Sequence, residues 1–132
     1  MRPPIATVFL VVLILSTYFI LSNGNPYMEE QQLRNTALKA TSFPLSLVTQ
    51  LFTHVGLLHL LGNLLPLLAF GVIVENRLRS YDVIVIFLCA GTIAGCVFAL
   101  LSPQTMLAGA SSGITGLIGR RYSFTPRRQP PL

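Results

Sequence analysis

The feature that most constrains this chain is a succession of long apolar runs, at residues 5–21, 55–74 and 83–101. Each is close to the ~20 residues that a bilayer-spanning helix needs. A fourth, shorter run at 106–118 is rich in glycine and serine and stops at Arg120-Arg121. A chain of 132 residues cannot bury this much apolar surface in a water-facing globule. Its charged fraction is 10%, where a soluble domain carries about 25%. Its mean hydropathy is +0.68. In lipid the backbone must satisfy its own polar groups, and helices do so within one segment. The expected fold is therefore an all-α, polytopic membrane helical bundle. Its helices are expected at about 5–21, 55–74, 83–101 and 106–118, in one domain over 1–119. A basic, proline-containing tail over 120–132 follows, with a composition that favours disorder.

The connections supply the topology. The first run is long for a signal peptide, and no A-x-A-like cleavage site follows it, so it reads as a transmembrane helix. Residues 22–50 form the longest polar stretch, with Glu29, Glu30, Arg34 and Lys39 summing to zero charge. There Asn25 is placed to cap a short helix with Pro26 at its first position. Ser42-Phe43-Pro44 is expected to start the next helical segment. The net charge of +5 comes from arginines that flank apolar runs, at Arg2, Arg77, Arg79, Arg120, Arg121, Arg127 and Arg128, besides Arg34 and Lys39. They form no stripe with interleaved aromatics, so topology explains them and nucleic-acid binding does not. The positive-inside rule puts the N-terminus, the 75–82 connection and the C-terminal tail in the cytoplasm. Cys89 and Cys96, seven apart on one helix, are about 10 Å apart at Cα and cannot bridge each other.

Two constellations can carry chemistry. His59 and Asn63 are four apart, on one helical face at membrane depth. Both donate side-chain hydrogen bonds. Such groups either hold helices together or mark a functional site. His54 is five before His59, about 140° away on a common helix, and no carboxylate or thiolate lies nearby. A metal centre is not expected, nor is any cofactor, and His54 is expected near the outer membrane surface, partly solvated. The second constellation is Gly109-Ala-Ser-Ser-Gly-Ile-Thr-Gly116-Leu-Ile-Gly119. Gly109 and Gly113 share a face, as do Ser112 and Gly116. Gly91 and Gly95 offer a matching small surface for close helix approach. A nucleophilic serine at a helix N-terminus, where backbone N–H groups stabilise an oxyanion, also needs such a neighbourhood.

Together these segments resemble the rhomboid family of intramembrane serine proteases. The resemblance runs from about Leu47 to Gly119. It is carried by His59-Leu-Leu-Gly-Asn63 with the residues leading into it, by Phe70-Gly71 followed by Glu75-x-Arg77, and by Gly109-Ala-Ser111 with Gly116 and Gly119. It implies that Ser111 is the nucleophile, with Ser112 where the family has glycine. It implies that His59 and Asn63 help the nucleophile's own amide stabilise the tetrahedral oxyanion. It further implies a six-helix fold, of which about four helices are present. The family's general-base histidine comes from the sixth helix. In this sequence no His, Lys, Asp or Glu follows Ser111. A shifted frame, a truncated gene or an incomplete sequence each gives such a tail. The expectation is a serine endopeptidase of transmembrane substrates whose fragment here is inactive. The alternative is a catalytically dead relative that binds transmembrane clients.

Overall fold

A computed structural model describes residues 3–37 and 44–123. Among these it contains six helices: α1 (Ile5–Ser22), α2 (Glu30–Thr36), α3 (Ser46–Thr49), α4 (Leu57–Glu75), α5 (Ser80–Leu101) and α6 (Ser111–Ser123). The fold is the expected all-α membrane bundle. α1, α4 and α5 are long and apolar enough to span a bilayer. α6, with 13 residues, is not.

The helices bury narrow stripes and leave broad apolar flanks for lipid. α1 turns Ala6, Leu10, Ile14 and Tyr18 inward, while Phe9, Val12, Phe19 and Ile20 face out. This three-to-four-residue spacing is the period of a helix with one packed face. α5 buries Val83, Phe87, Gly91, Gly95 and Ala99, one residue per turn. α1 ends at Asn23, which adopts the left-handed conformation at φ 50°. Asparagine tolerates that conformation and so stops a helix there.

The other end of α1 is held by a different helix. The first-turn amides of any helix have no partner within it. Here the buried Glu75, at the end of α4, accepts from the Ala6 N–H at 2.8 Å and the Thr7 N–H at 2.9 Å. The Thr7 hydroxyl donates to the same carboxylate at 2.7 Å. The start of α1 and the end of α4 therefore lie at one end of the bundle. Opposite, the chain leaving α1 is tied to the entrance of α4. Met28 N–H donates to the Val55 carbonyl at 3.0 Å and Leu57 N–H to the Pro26 carbonyl at 2.9 Å. The Tyr18 hydroxyl donates to the same Pro26 carbonyl at 2.7 Å. Asn25-Pro26 thus does not start a helix as expected. Its backbone is committed to this cross-link, and α2 begins only at Glu30. The expected start at Ser42-Phe43 lies outside the described residues; α3 begins at Ser46.

α6 differs most from expectation. It begins at Ser111 instead of 106, and it continues through Arg120 and Arg121 to Ser123. Residues 124–132 lie outside the described residues. Gly109 precedes the helix and shares no helical face with Gly113. Gly113 instead lies where a Cβ would meet the Phe87 ring at 2.7 Å. Gly116 lies against Ala90. The small surface expected at Gly91 is used differently, because the Leu51 side chain fills it. Phe87 is seven residues into α5, about 10 Å above its start, so α6 begins partway up the bundle. It then descends towards the end that holds Glu75, and the Arg121 guanidinium sits 5.6 Å above the Phe70 ring of α4.

Candidate active site

Ser111 is the first residue of α6 and is exposed. A helix start presents unpartnered N–H groups and the positive end of the helix dipole. The turn that delivers it is unusual. Gly109 has φ +122°, a conformation that side chains rarely adopt. The space its missing side chain leaves is occupied by the site. A Cβ there would come within 2.9 Å of His59 Cε1 and Nε2, and 3.8 Å of Asn63 Nδ2. The helix-four pair and the serine turn, far apart in sequence, are therefore in contact.

The two α4 side chains differ in freedom. His59, in the first turn of α4, is exposed. Asn63 is 5% exposed, and its Nδ2 donates to the His59 carbonyl at 2.8 Å. That bond fixes the amide plane. An amide nitrogen has a second N–H, which remains available for a developing negative charge. Ser112, by contrast, has its Oγ buried without a hydrogen-bond partner among the described residues. Of the two adjacent serines, Ser111 is the accessible one.

The turn is pinned from beneath by the segment before α4. Gly109 N–H donates to the Gln50 carbonyl at 2.8 Å. Ala110 N–H donates to His54 Nε2 at 3.4 Å. His54 was expected to be partly solvated, near the outer membrane surface, on the same helix as His59. It is instead fully buried, in the turn preceding α4, with its ring 5.3 Å from that of His59. Burial, and secondarily the neighbouring His59, push its pKa down to about 4, against a smaller upward pull from the Phe52 backbone. At neutral pH it is the uncharged acceptor that the Ala110 amide requires. Sequence reasoning missed this role because a helical projection was applied to a residue that lies outside the helix. The available signal was Gly56, two residues later, a natural break before α4.

A profile of the Rhomboid domain matches residues 43–131. The chain is 29% identical over 122 residues to Rhomboid protease GluP of Bacillus subtilis, covering 89% of this chain and 24% of that protein. It is 33% identical over 87 residues to Rhomboid-related protein 1 of Caenorhabditis elegans, covering 66% and 22%. It is 29% identical over 77 residues to RHOMBOID-like protein 6, mitochondrial, of Arabidopsis thaliana, covering 58% and 25%. The matched region amounts to about a quarter of the length of each of these relatives.

Proposed function

This chain belongs to the rhomboid family, and from that premise we propose that it carries the nucleophile and oxyanion-stabilising half of an intramembrane serine endopeptidase site. Ser111 is the nucleophile. Its backbone N–H, His59 and the free N–H of Asn63 stabilise the oxyanion of a tetrahedral intermediate. The single observation that carries this reading is Gly109, whose absent side chain leaves room for His59 and Asn63 against the turn that presents Ser111. The substrates are transmembrane protein segments.

Proton transfer is the other half of the chemistry. A serine hydroxyl attacks efficiently only when a base removes its proton. His54 is a weak base: its Nε2 is engaged with the Ala110 amide, and burial holds its pKa down at about 4. His59 is assigned to the oxyanion. On this reading no base is assigned among the residues present, and these residues by themselves are expected not to hydrolyse peptide bonds. The orientation proposed is the one the charges dictate, with the N-terminus and the arginine-bearing end in the cytoplasm. Ser111, above that end, then opens towards the outer side. Retention of all three of Ser111, His59 and Asn63 favours this reading over that of a dedicated client-binding relative, which needs no oxyanion donors.

A peptidyl boronate tests the electrophile-stabilising half without requiring turnover. Boron takes the serine oxygen as the hydroxyl's proton passes to solvent, and the resulting tetrahedral anion mimics the intermediate. Boron NMR on the chain in detergent should show a tetrahedral adduct that Ser111→Ala abolishes and Ser112→Ala preserves. Asn63→Ala should weaken it by roughly 100-fold or more, since one oxyanion donor contributes on that order. Boron that stays trigonal on the folded chain would overturn the assignment.

A further inference from the structure

We propose that the end of the bundle opposite the serine turn is a binding site for anionic phospholipid headgroups. Four chain segments meet there. The start of α1 is bonded to the end of α4 through Glu75. The connection to α5 carries Arg77 and Arg79. The last turn of α6 brings Arg120 and Arg121. From Gly113, packed on Phe87, α6 has eight residues to Arg121, about 12 Å of helix. Phe87 stands only about 10 Å above the start of α5. The Arg121 guanidinium lies over Phe70, five residues before the end of α4, so α6 ends on the side of the bundle that holds Glu75, and the four arginines lie towards that end.

All four are exposed. Against them stand two carboxylates. Glu75 is 2% exposed and engaged with three donors of α1. Asp82 lies 3.4 Å from Arg79 Nε and also accepts from the Arg79 backbone N–H at 3.1 Å. Four arginines less these two acids leave a formal +2 on this rim. The stretch 22–50 carries Glu29, Glu30, Arg34 and Lys39, a formal charge of zero. The excess is thus confined to one end.

The local chemistry favours a lipid phosphate over a soluble anion. The rim crowns three helices long enough to span a bilayer. Tyr81 and Tyr122, 70% and 63% exposed, flank it as aromatic residues do at headgroup depth. The Arg121 guanidinium lies between two aromatic rings, 5.6 Å from Phe70 and 5.7 Å from Tyr122. These cation–π contacts hold the guanidinium beside the rings, and its N–H donors suit phosphate oxygens. Clustered arginines at the membrane surface attract anionic lipid at a gain of roughly 5-fold in affinity per residue. Nothing in this site involves Ser111, so it stands whether or not the chain cleaves substrates.

The test uses the full chain in nanodiscs of phosphatidylcholine titrated with phosphatidylglycerol, with retained lipid counted by native mass spectrometry. Unaltered protein should retain phosphatidylglycerol well above its mole fraction. The R79Q/R120Q/R121Q variant should lose about 100-fold in apparent affinity, following that increment per arginine. R34Q, at the opposite end, should change nothing. Rising NaCl on the unaltered protein should release the lipid, a measurement that does not depend on any variant folding. Retention equal to the mole fraction, or lipid displaced by an equal concentration of inorganic phosphate, would overturn the proposal.

Discussion

The Nε2 of His54 accepts a hydrogen bond from the backbone N–H of Ala110, the residue immediately before Ser111. An imidazole can accept only while that nitrogen is unprotonated. Its depressed pKa of about 4, against 6.5 in an unfolded chain, gives the sign. The folded state resists protonating His54, and the unfolded state does not. Stability contributed by this group is complete above about pH 6.5 and falls as pH drops from there towards 4. Thermal unfolding in detergent should show that decline, and His54→Gln should flatten it. An equal slope in the variant would remove His54 from the account.

Gly109 and Gly24 separate steric from backbone requirements. Both have positive φ. A Cβ on Gly24 meets nothing within 4 Å, whereas one on Gly109 meets the His59 ring. Gly24→Ala should cost about 1 kcal/mol. Gly109→Ala should cost about 2–3 kcal/mol, adding displacement of His59 to backbone strain, and should also abolish the boronate adduct. Equal costs for the two variants in chemical denaturation would show that His59 is not packed against the turn.

Glu75 closes the opposite end. Truncation to Ala leaves the Ala6 and Thr7 amides and the Thr7 hydroxyl without their acceptor. Each buried, unpaired donor costs on the order of 1 kcal/mol or more. Glu75→Ala should therefore lower stability by about 2–4 kcal/mol, while Glu75→Gln, which keeps one acceptor, should lose less. Hydrogen exchange should locate the loss in the first turn of α1. Unchanged protection there would contradict the clasp.

α6 offers a paired comparison. Gly116 packs directly on Ala90, and Gly119 has nothing within 4 Å of a Cβ. Gly116→Leu should separate α5 from α6 and lower the melting temperature markedly, by the cost of overpacking at about 1–3 kcal/mol. Gly119→Ala should be neutral or slightly stabilising, since alanine favours the helix by up to ~1 kcal/mol. The reverse order would mean that α6 is rotated from the position described.

Much of this was legible in the sequence because bilayer physics is coarse. The first apolar run, expected to end at 21, ends as a helix at Ser22, and the second ends at Glu75 where 74 was expected. Hydropathy cannot locate Ser111 at a helix start, because Ala108, Gly109 and Ala110 suit a helix interior and a turn equally well. Only the φ of Gly109 separates them. The convergence of Asn63 with Gly109 depends on packing across some fifty residues, which no local period encodes. It was anticipated through family resemblance alone. His54 and Glu75 show the same limit. Each serves a backbone N–H distant in sequence, and a polar residue gives no sign of which backbone it will meet.

The proposed site takes its nucleophile from Ser111 and its oxyanion donors from His59 and Asn63, and no base is assigned among the residues present. The most direct measurement is cleavage of a model transmembrane substrate by this chain in proteoliposomes, read by mass spectrometry beside the Ser111→Ala variant. No product is expected from either. Product from the unaltered chain that disappears with Ser111→Ala would contradict it, and would require a base among the residues already present.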